Sequence, residues 1–501
     1  MPPGDFIFNA HASKAVAESP LGGVAYGYLG TLINYGLAVV FVVVLTRFIP
    51  LADYGYYTAM LSMTGIIGLF IPSLGVDMAI AREAAALRAK GADISDHASA
   101  LAAYSLSLSA IYAVAVMAAA PWYLASGVPP AYLGIAALIA VNALVNGAAN
   151  ALSAYLWMMG KVKTQSVGSL VNNLVFRVAE ITLVVLLKSV YAIAIAAVAG
   201  SAAQLAYYLR EARSFPNPRR GLEVLRGNYT RFLNYGLQFW TLAYFSGIAQ
   251  NVIGYLVYVL LGPNASGLYG LAAYMFGAVA SLSNYVTTVF TNRLTYELGR
   301  GSKLADAILR DYVLASTTAA GLLAVGAIAL APLLPLLRIV HGDYVAAIPY
   351  GAALFGTAVT SAANSLHREY LWVHGRGWRA LFLSLPGLAA NAIASAALMA
   401  GGLGLYGAIA GAYVGGATTT IIFAKTFRDP RRVNTIIAAN TALAAAAGWA
   451  YAAWPRAWPA AQLALGAAAV ATAYIVRPIP RSVAAYLPPE LRKLLRPFSS
   501  S

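Results

Sequence analysis

Tyr155-Leu156-Trp157-Met158-Met159-Gly160-Lys161 closes an apolar stretch that begins near residue 131, and Tyr370-Leu371-Trp372-Val373-His374-Gly375-Arg376 closes another that begins near residue 345. The two share the pattern Tyr-Leu-Trp-x-x-Gly-basic at an offset of 215 residues. Each preceding stretch exceeds the ~20 mostly apolar residues that a membrane-spanning helix requires. Two such matching helix ends in one chain predict a duplicated bundle of membrane helices.

The rest of the chain reads the same way. Of 501 residues, 60% are hydrophobic and 10% charged, with a mean hydropathy of +0.70. A soluble protein carries roughly 25% charged residues, and no water-soluble core of this size absorbs such an excess of apolar surface. Fourteen transmembrane helices are expected, near 24–48, 54–75, 98–121, 131–158, 163–187, 189–209, 232–261, 266–289, 309–334, 345–373, 378–401, 405–424, 434–453 and 457–476. Glycine and serine dilute the 54–75 and 266–289 stretches. No cleaved leader is expected, because Lys14 is the only basic residue before residue 20 and no apolar run with a cleavage site precedes the first span.

The net charge of +16 is distributed unevenly. With the N-terminus inside, 27 of the 33 basic residues fall on the cytoplasmic side, and only Arg47, Lys188, Arg338 and Arg456 fall outside. Arg177 and Arg368 lie within spans. Such asymmetry follows the positive-inside rule. It places both termini in the cytoplasm and makes the charge a topology signal rather than a nucleic-acid footprint; no nucleic-acid partner is expected. The basic segment from Arg481 to Phe498 reads as a tail, disordered or lying on the inner membrane surface.

The 215-residue offset continues without gaps, aligning Ser169 with Ser384, Tyr191 with Tyr406 and Gly200 with Gly415. Earlier in each half, Gly55 and Tyr57 match Gly267 and Tyr269 at an offset of 212. The expected fold is therefore all-α and integral to the membrane: two parallel-related six-helix bundles plus two C-terminal helices. The expected divisions are 1–215, 216–430 and, for the accessory helices and tail, 431–501. Parallel repeats occur in transporters with the substrate between the halves.

Leu45-Thr46-Arg47-Phe48-Ile49-Pro50 followed by Asp53-Tyr54-Gly55-Tyr56-Tyr57 resembles the opening of the polysaccharide flippases of the multidrug/oligosaccharidyl-lipid/polysaccharide (MOP) exporter superfamily. So does Leu74-Gly75-Val76-Asp77-Met78-Ala79-Ile80-Ala81-Arg82, and Leu405-Tyr406-Gly407-Ala408-Ile409-Ala410-Gly411-Ala412 is similar to the start of that family's twelfth helix. The resemblance covers roughly residues 20–425. It implies two bundles around a cavity that opens alternately to each side of the cytoplasmic membrane. The implied substrate is a polyprenyl- or dolichyl-(pyro)phosphate-linked oligosaccharide. Cavity arginines would hold its phosphate, with Arg47 at the position of the family's first-helix arginine. The extra C-terminal helices would form a groove for the lipid tail. Membrane lipids and glycosyltransferases of the same pathway are the implied partners.

Several polar residues sit within spans, where an ionisable group costs roughly 2.5–3.5 kcal/mol on insertion scales. Arg177 and Glu180 share one helix side. They read either as a phosphate clamp with its release partner or as a structural ion pair. Asn142, Asn146, Asn150 and Ser153 lie on one face of the fourth span, with Thr357, Ser361, Ser365 and Arg368 as counterparts. These stripes read as cavity walls for sugar hydroxyls or as interhelical hydrogen bonding. The candidate substrate contacts are thus Arg47, Asn142, Asn146, Asn150, Arg177, Glu180, Ser365 and Arg368.

No G-x-x-x-x-G-K-[ST] or H-E-x-x-H occurs, the five histidines are scattered, and there is no cysteine. No cofactor, metal or catalytic residue is expected, and the chain does not read as an enzyme. A cation or drug antiporter of the same superfamily is the alternative; it needs cavity acids, and Glu180 is the only acid deep in a span. A membrane glycosyltransferase would need outer acidic loops, where only Asp53 and Asp343 fall.

Overall fold

The structure, a computed structural model, describes residues 20–71, 75–89, 91–212, 215–299, 305–427 and 431–453. No strand occurs among them. The expected span at 457–476 and the basic tail lie outside the described residues.

The first half contains α1 (Pro20–Phe48), α2 (Leu51–Phe70), α3 (Val76–Ala89), α4 (Ser95–Ala118), the short α5 (Ala120–Ala125), α6 (Leu133–Met158), α7 (Val162–Leu187) and α8 (Tyr191–Ala212). The long α9 (Pro218–Gly299) follows. Then come α10 (Ala305–Leu330), the single turn α11 (Leu333–Leu336), α12 (Ala347–Phe355), α13 (Thr357–Val373), α14 (Gly377–Leu398), α15 (Leu405–Phe427) and α16 (Arg431–Ala453). By length and composition, nine helices among the described residues can cross a membrane, and the pair α12–α13, bent by 45°, makes a tenth. Side chains such as Val114, Leu186 and Ile393 are 68–69% exposed on these helices, as lipid-facing residues are.

The chain packs as two units: the described residues of Asn9–Tyr255 with Ile339–Gly342, and those of Leu256–Arg338 with Asp343–Ser501. In the first, α7 packs on both α8 and α1, and α6 on both α4 and α8. In the second, α14 packs on α15, and α10 on α13 and α16.

The sequence repeat holds in the backbone. At the first Tyr-Leu-Trp motif, the amides of Met159, Gly160 and Lys161 donate to the carbonyls of Tyr155, Trp157 and Leu156. At the second, His374, Gly375 and Arg376 donate to Tyr370, Trp372 and Leu371 in the same order. The caps need a left-handed residue, and Gly160 and Gly375 supply it at φ 70° and 69°. The 215-residue offset also carries α6 onto α12–α13, α7 onto α14 and α8 onto α15.

Small residues set the closest helix pairs. On α15, Gly407, Gly411 and Gly415 recur every four residues; a Cβ on them would meet Leu398 and Met399, Ser395, and Gly387 and Asn391 of α14 or its C-terminal continuation. Ala192, Ala196 and Gly200 form the same buried stripe on α8, and Gly200 approaches Asn172 and Phe176 of α7. Small stripes allow the backbone approach that substitutes for a hydrophobic driving force inside a bilayer.

Three elements depart from the expected loops and spans. First, 76–89 and 218–231, read as connecting loops, are helical. Leu225 and Phe232 of α9 bury against Val76, Ile80 and Ala84 of α3 and Leu101 of α4, while the arginines stay outside. Glu83 bonds Arg231 at 2.9 Å and His97 at 3.3 Å, and Arg220 pairs with Asp96 at 2.6 Å. The basic residues that mark topology thus belong to an amphipathic helix end. Beside it, hydrogen bonds from the Ser95 hydroxyl and amide hold the Asp93 carboxyl below the usual carboxylate range. Second, the connection expected at 262–265 is a kink at Gly262, whose φ of 85° and ψ of −179° precede Pro263 and separate two helices within α9. Third, the span at 345–373 is broken between α12 and α13.

The second unit also incorporates α16. A Cβ on Gly448 would strike the Ala352 backbone of α12. Asn440 donates to Thr318 of α10 at 3.3 Å, and Trp449 packs on Tyr406. This helix closes a face of the unit rather than standing beside it.

Candidate functional site

The polar residues of the first unit divide into closed pairs and open groups. Arg177 Nη1 and Glu180 Oε2 are 2.5 Å apart, and the pair is buried, with side-chain exposures of 10% and 2%. Arg177 Nε also donates to Asn34 of α1 at 2.8 Å, and its guanidinium lies 4.8 Å from the Phe176 ring and 5.7 Å from that of Phe41. The pair therefore ties α7 to α1, with aromatic faces around the cation. Asn34 was not among the expected site residues; as one amide in a long apolar stretch it gave no periodic signal.

The α6 stripe is only partly used. Asn142 accepts from Ser201 of α8 at 2.8 Å, and Ser153 accepts from Gln165 of α7 at 3.0 Å. Neighbouring bonds continue the network: Asn172 to Gln204 at 2.7 Å, Gln204 to the Tyr208 hydroxyl at 3.2 Å, and that hydroxyl to the Gln165 carbonyl at 2.9 Å. Asn146 and Asn150 take no part. Asn146 is half-buried, Asn150 is exposed, and neither amide has a hydrogen-bond partner among the described residues.

Arg47 is exposed at the end of α1 and donates through Nε to His341 Nε2 at 3.2 Å. Asp53, at the start of α2, accepts from the Tyr132 hydroxyl at 2.7 Å. The Arg47–His341 contact joins residues 294 positions apart, so no local pattern announces it.

In the second unit, Ser361 is exposed and Ser365 half-buried, at the positions equivalent to Asn146 and Asn150. Arg368 is half-buried, with the charge of Glu369 acting on it. His367 is 1% exposed, donates through Nδ1 to the Ala363 carbonyl at 2.8 Å, and stacks on Phe423. Asn364 and Thr420 bond each other and the Gly416 carbonyl, joining α13 to α15. No group of side chains able to hold a metal occurs among the described residues.

A family profile described as "Polysaccharide biosynthesis protein" matches residues 21–291. No curated protein matches the sequence. Among solved structures, an inward-facing multidrug resistance MATE family transporter of the MOP superfamily superposes with a TM-score of 0.63 at 15% identity, covering 83% of this chain and 98% of that one. The MATE multidrug transporter DinF-BH gives 0.60 at 16% identity over 84% and 98%. The eukaryotic MATE transporter AtDTX14 gives 0.53 at 13% over 84% and 100%. At these identities the likeness is one of fold.

Proposed function

Because the chain belongs to the polysaccharide biosynthesis protein family, we propose that it flips polyprenyl- or dolichyl-(pyro)phosphate-linked oligosaccharide across the cytoplasmic membrane by alternating access. The observation that carries this reading is the open part of the α6 face. Asn146 and Asn150 lie on a helix of span length, yet their amides bond nothing among the described residues. Lipid offers an amide no partner, so a span keeps such groups only where water or a polar ligand reaches them. Sugar hydroxyls fit, being both donors and acceptors.

On this reading Asn146, Asn150 and Ser365 meet the oligosaccharide, Asn142 joins them through the amide nitrogen that its bond from Ser201 leaves, and Arg47 and Arg368 meet the phosphate. Arg177 and Glu180 join them only when their pair opens. Both termini are cytoplasmic, as the charge asymmetry supports, and the pathway's glycosyltransferases supply the substrate from that side. The two six-helix bundles expected at 1–215 and 216–430 supply the alternating access, and the accessory segment contributes α16, which packs on α10, α12 and α13.

A cation or drug antiporter is the second reading, favoured by Glu180. That carboxylate is held by Arg177 at 2.5 Å and is 2% exposed on its side chain, so a drug cation would have to displace a guanidinium already in place.

Leaflet transfer of a fluorescent polyprenyl-linked sugar in proteoliposomes tests the proposal. The wild type should transfer it, and Asn146→Leu/Asn150→Leu should lose about tenfold or more, at about 1 kcal/mol per hydrogen bond, with unchanged yield. No transfer of any polyprenyl-linked sugar, together with export of a cationic dye that Glu180→Gln abolishes, would overturn it in favour of the antiporter.

A further inference from the structure

We propose that the first turns of α9, residues 218–231, lie along the membrane surface and that their outward face binds anionic lipid headgroups of the inner leaflet. The preceding reading supplies only the orientation here, not the ligand.

Contacts with α4 show how this segment runs. Later in its course, α9 follows α4 and α5: Phe232 packs on His97 with ring centroids 6.1 Å apart, and Tyr255 packs on Trp122 at 5.4 Å. The intervals 232–255 and 97–122 are nearly equal in length, each roughly 35 Å of helix at ~1.5 Å per residue, so the two run side by side. Before Phe232 the match ends. Gly221 lies against the Ser99 carbonyl and Ala103, farther into α4 than His97. The stretch from Gly221 to Phe232, roughly 16 Å of helix, therefore makes no advance along α4 and crosses its first turns instead. The ion pairs agree. Arg220 reaches Asp96 at 2.6 Å, and Arg231 reaches Glu83 of α3, which also bonds His97. Both ends of the segment thus meet α4 at one level, within the first turn of a helix of span length and hydropathy. A segment that crosses a span where the span begins lies along the surface.

Its two faces differ. Leu225 and Phe232 are buried against α3 and α4. On the other side Arg219, Leu222, Arg226 and Tyr229 recur at i, i+3, i+7 and i+10, the spacing of one helix face. All four are exposed, Leu222 at 52% and Tyr229 at 40%. Asp96 and Glu83 neutralise Arg220 and Arg231, but the guanidiniums of Arg219 and Arg226 have no partner among the described residues. Glu223 is the segment's only acid. A soluble acidic partner would meet the arginines alone. An anionic leaflet meets the whole face: phosphates take the guanidiniums, and Leu222 and Tyr229 enter the headgroup boundary, where apolar and aromatic side chains of interfacial helices settle.

The chain has no cysteine, so Leu222→Cys accepts a single bimane label. The labelled full chain is placed in phosphatidylcholine nanodiscs that contain headgroup-level spin-labelled lipid, either phosphatidylglycerol or phosphatidylcholine. The phosphatidylglycerol should quench the label at an about fivefold lower mole fraction, equivalent to the about 1 kcal/mol that one basic residue gains near an anionic surface. Salt at about 1 M should erase the preference, since it screens charges beyond ~3 Å. Arg219→Gln/Arg226→Gln should erase it at low salt, with hydrogen exchange over 218–231 unchanged. Equal quenching by both lipids, a preference that persists at high salt or in the double variant, or quenching by aqueous iodide but by neither lipid overturns the proposal. The last result would leave the face to a soluble acidic partner.

Discussion

Arg177 and Glu180 illustrate what single residues disclose. Their spacing in the sequence places them on one helix side, and the structure brings them to 2.5 Å. Whether they serve a substrate or each other depends on Asn34 and two phenylalanines, none of them local in sequence except Phe176. Removing one member of a buried pair strands the other charge. Arg177→Met should therefore cost about 3–5 kcal/mol, read as a lower unfolding temperature in detergent. Arg177→Met/Glu180→Leu should recover most of that loss; equal temperatures for the single and double variants would contradict the pairing. The α6 stripe was legible as a row of polar residues, but its division was not. Asn142 and Ser153 are taken by Ser201 and Gln165, while Asn146 and Asn150 stay open among the described residues.

At the scale of elements, apolar length predicted the helices and missed what is amphipathic or interrupted. The 218–231 segment reads as a loop by its arginines, yet its inward face packs on α3 and α4. Gly221 lies against the Ser99 backbone of α4, so Gly221→Val should unseat this end of α9. Faster hydrogen exchange confined to 218–231 and the start of α4 would report it, and unchanged exchange would count against the packing. The break at Gly262 makes a different demand. Its φ and ψ of 85° and −179° belong to a region open essentially to glycine alone. Gly262→Ala should cost about 1–3 kcal/mol of strain, measurable as a lowered unfolding temperature. Gly277→Ala, on the same helix with open space around it, is the control and should leave that temperature nearly unchanged. A glycine before a proline signals a turn; that the helix resumes at once, without a loop, is a backbone fact.

Across the whole molecule, the repeat organises the fold and α16 completes the second unit. The offset that aligns two Tyr-Leu-Trp motifs also aligns their caps, the stripes of small residues on α8 and α15, and the helices they pack against. The α16 helix was expected as an addition to that repeat, yet it lies on α10, α12 and α13. A chain ending at residue 430 would uncover those faces and should elute as aggregate in size-exclusion chromatography. Gly448→Leu, which forces α16 away from Ala352, should lower the unfolding temperature in the full chain. A monodisperse truncated protein with wild-type stability would show that α16 is dispensable.

The sequence by itself determined the all-helical membrane fold, most of the spans and the duplication. These depend on apolar length, on helix-ending glycines and on matches between segments, all of which are linear properties that a bilayer enforces along the chain. Only the tertiary structure decided which polar groups are closed on each other and which remain open. That outcome depends on the faces that distant helices turn toward one another: Arg177 finds Asn34 across 143 positions, Arg47 finds His341 across 294, and Asn146 and Asn150 find nothing among the described residues.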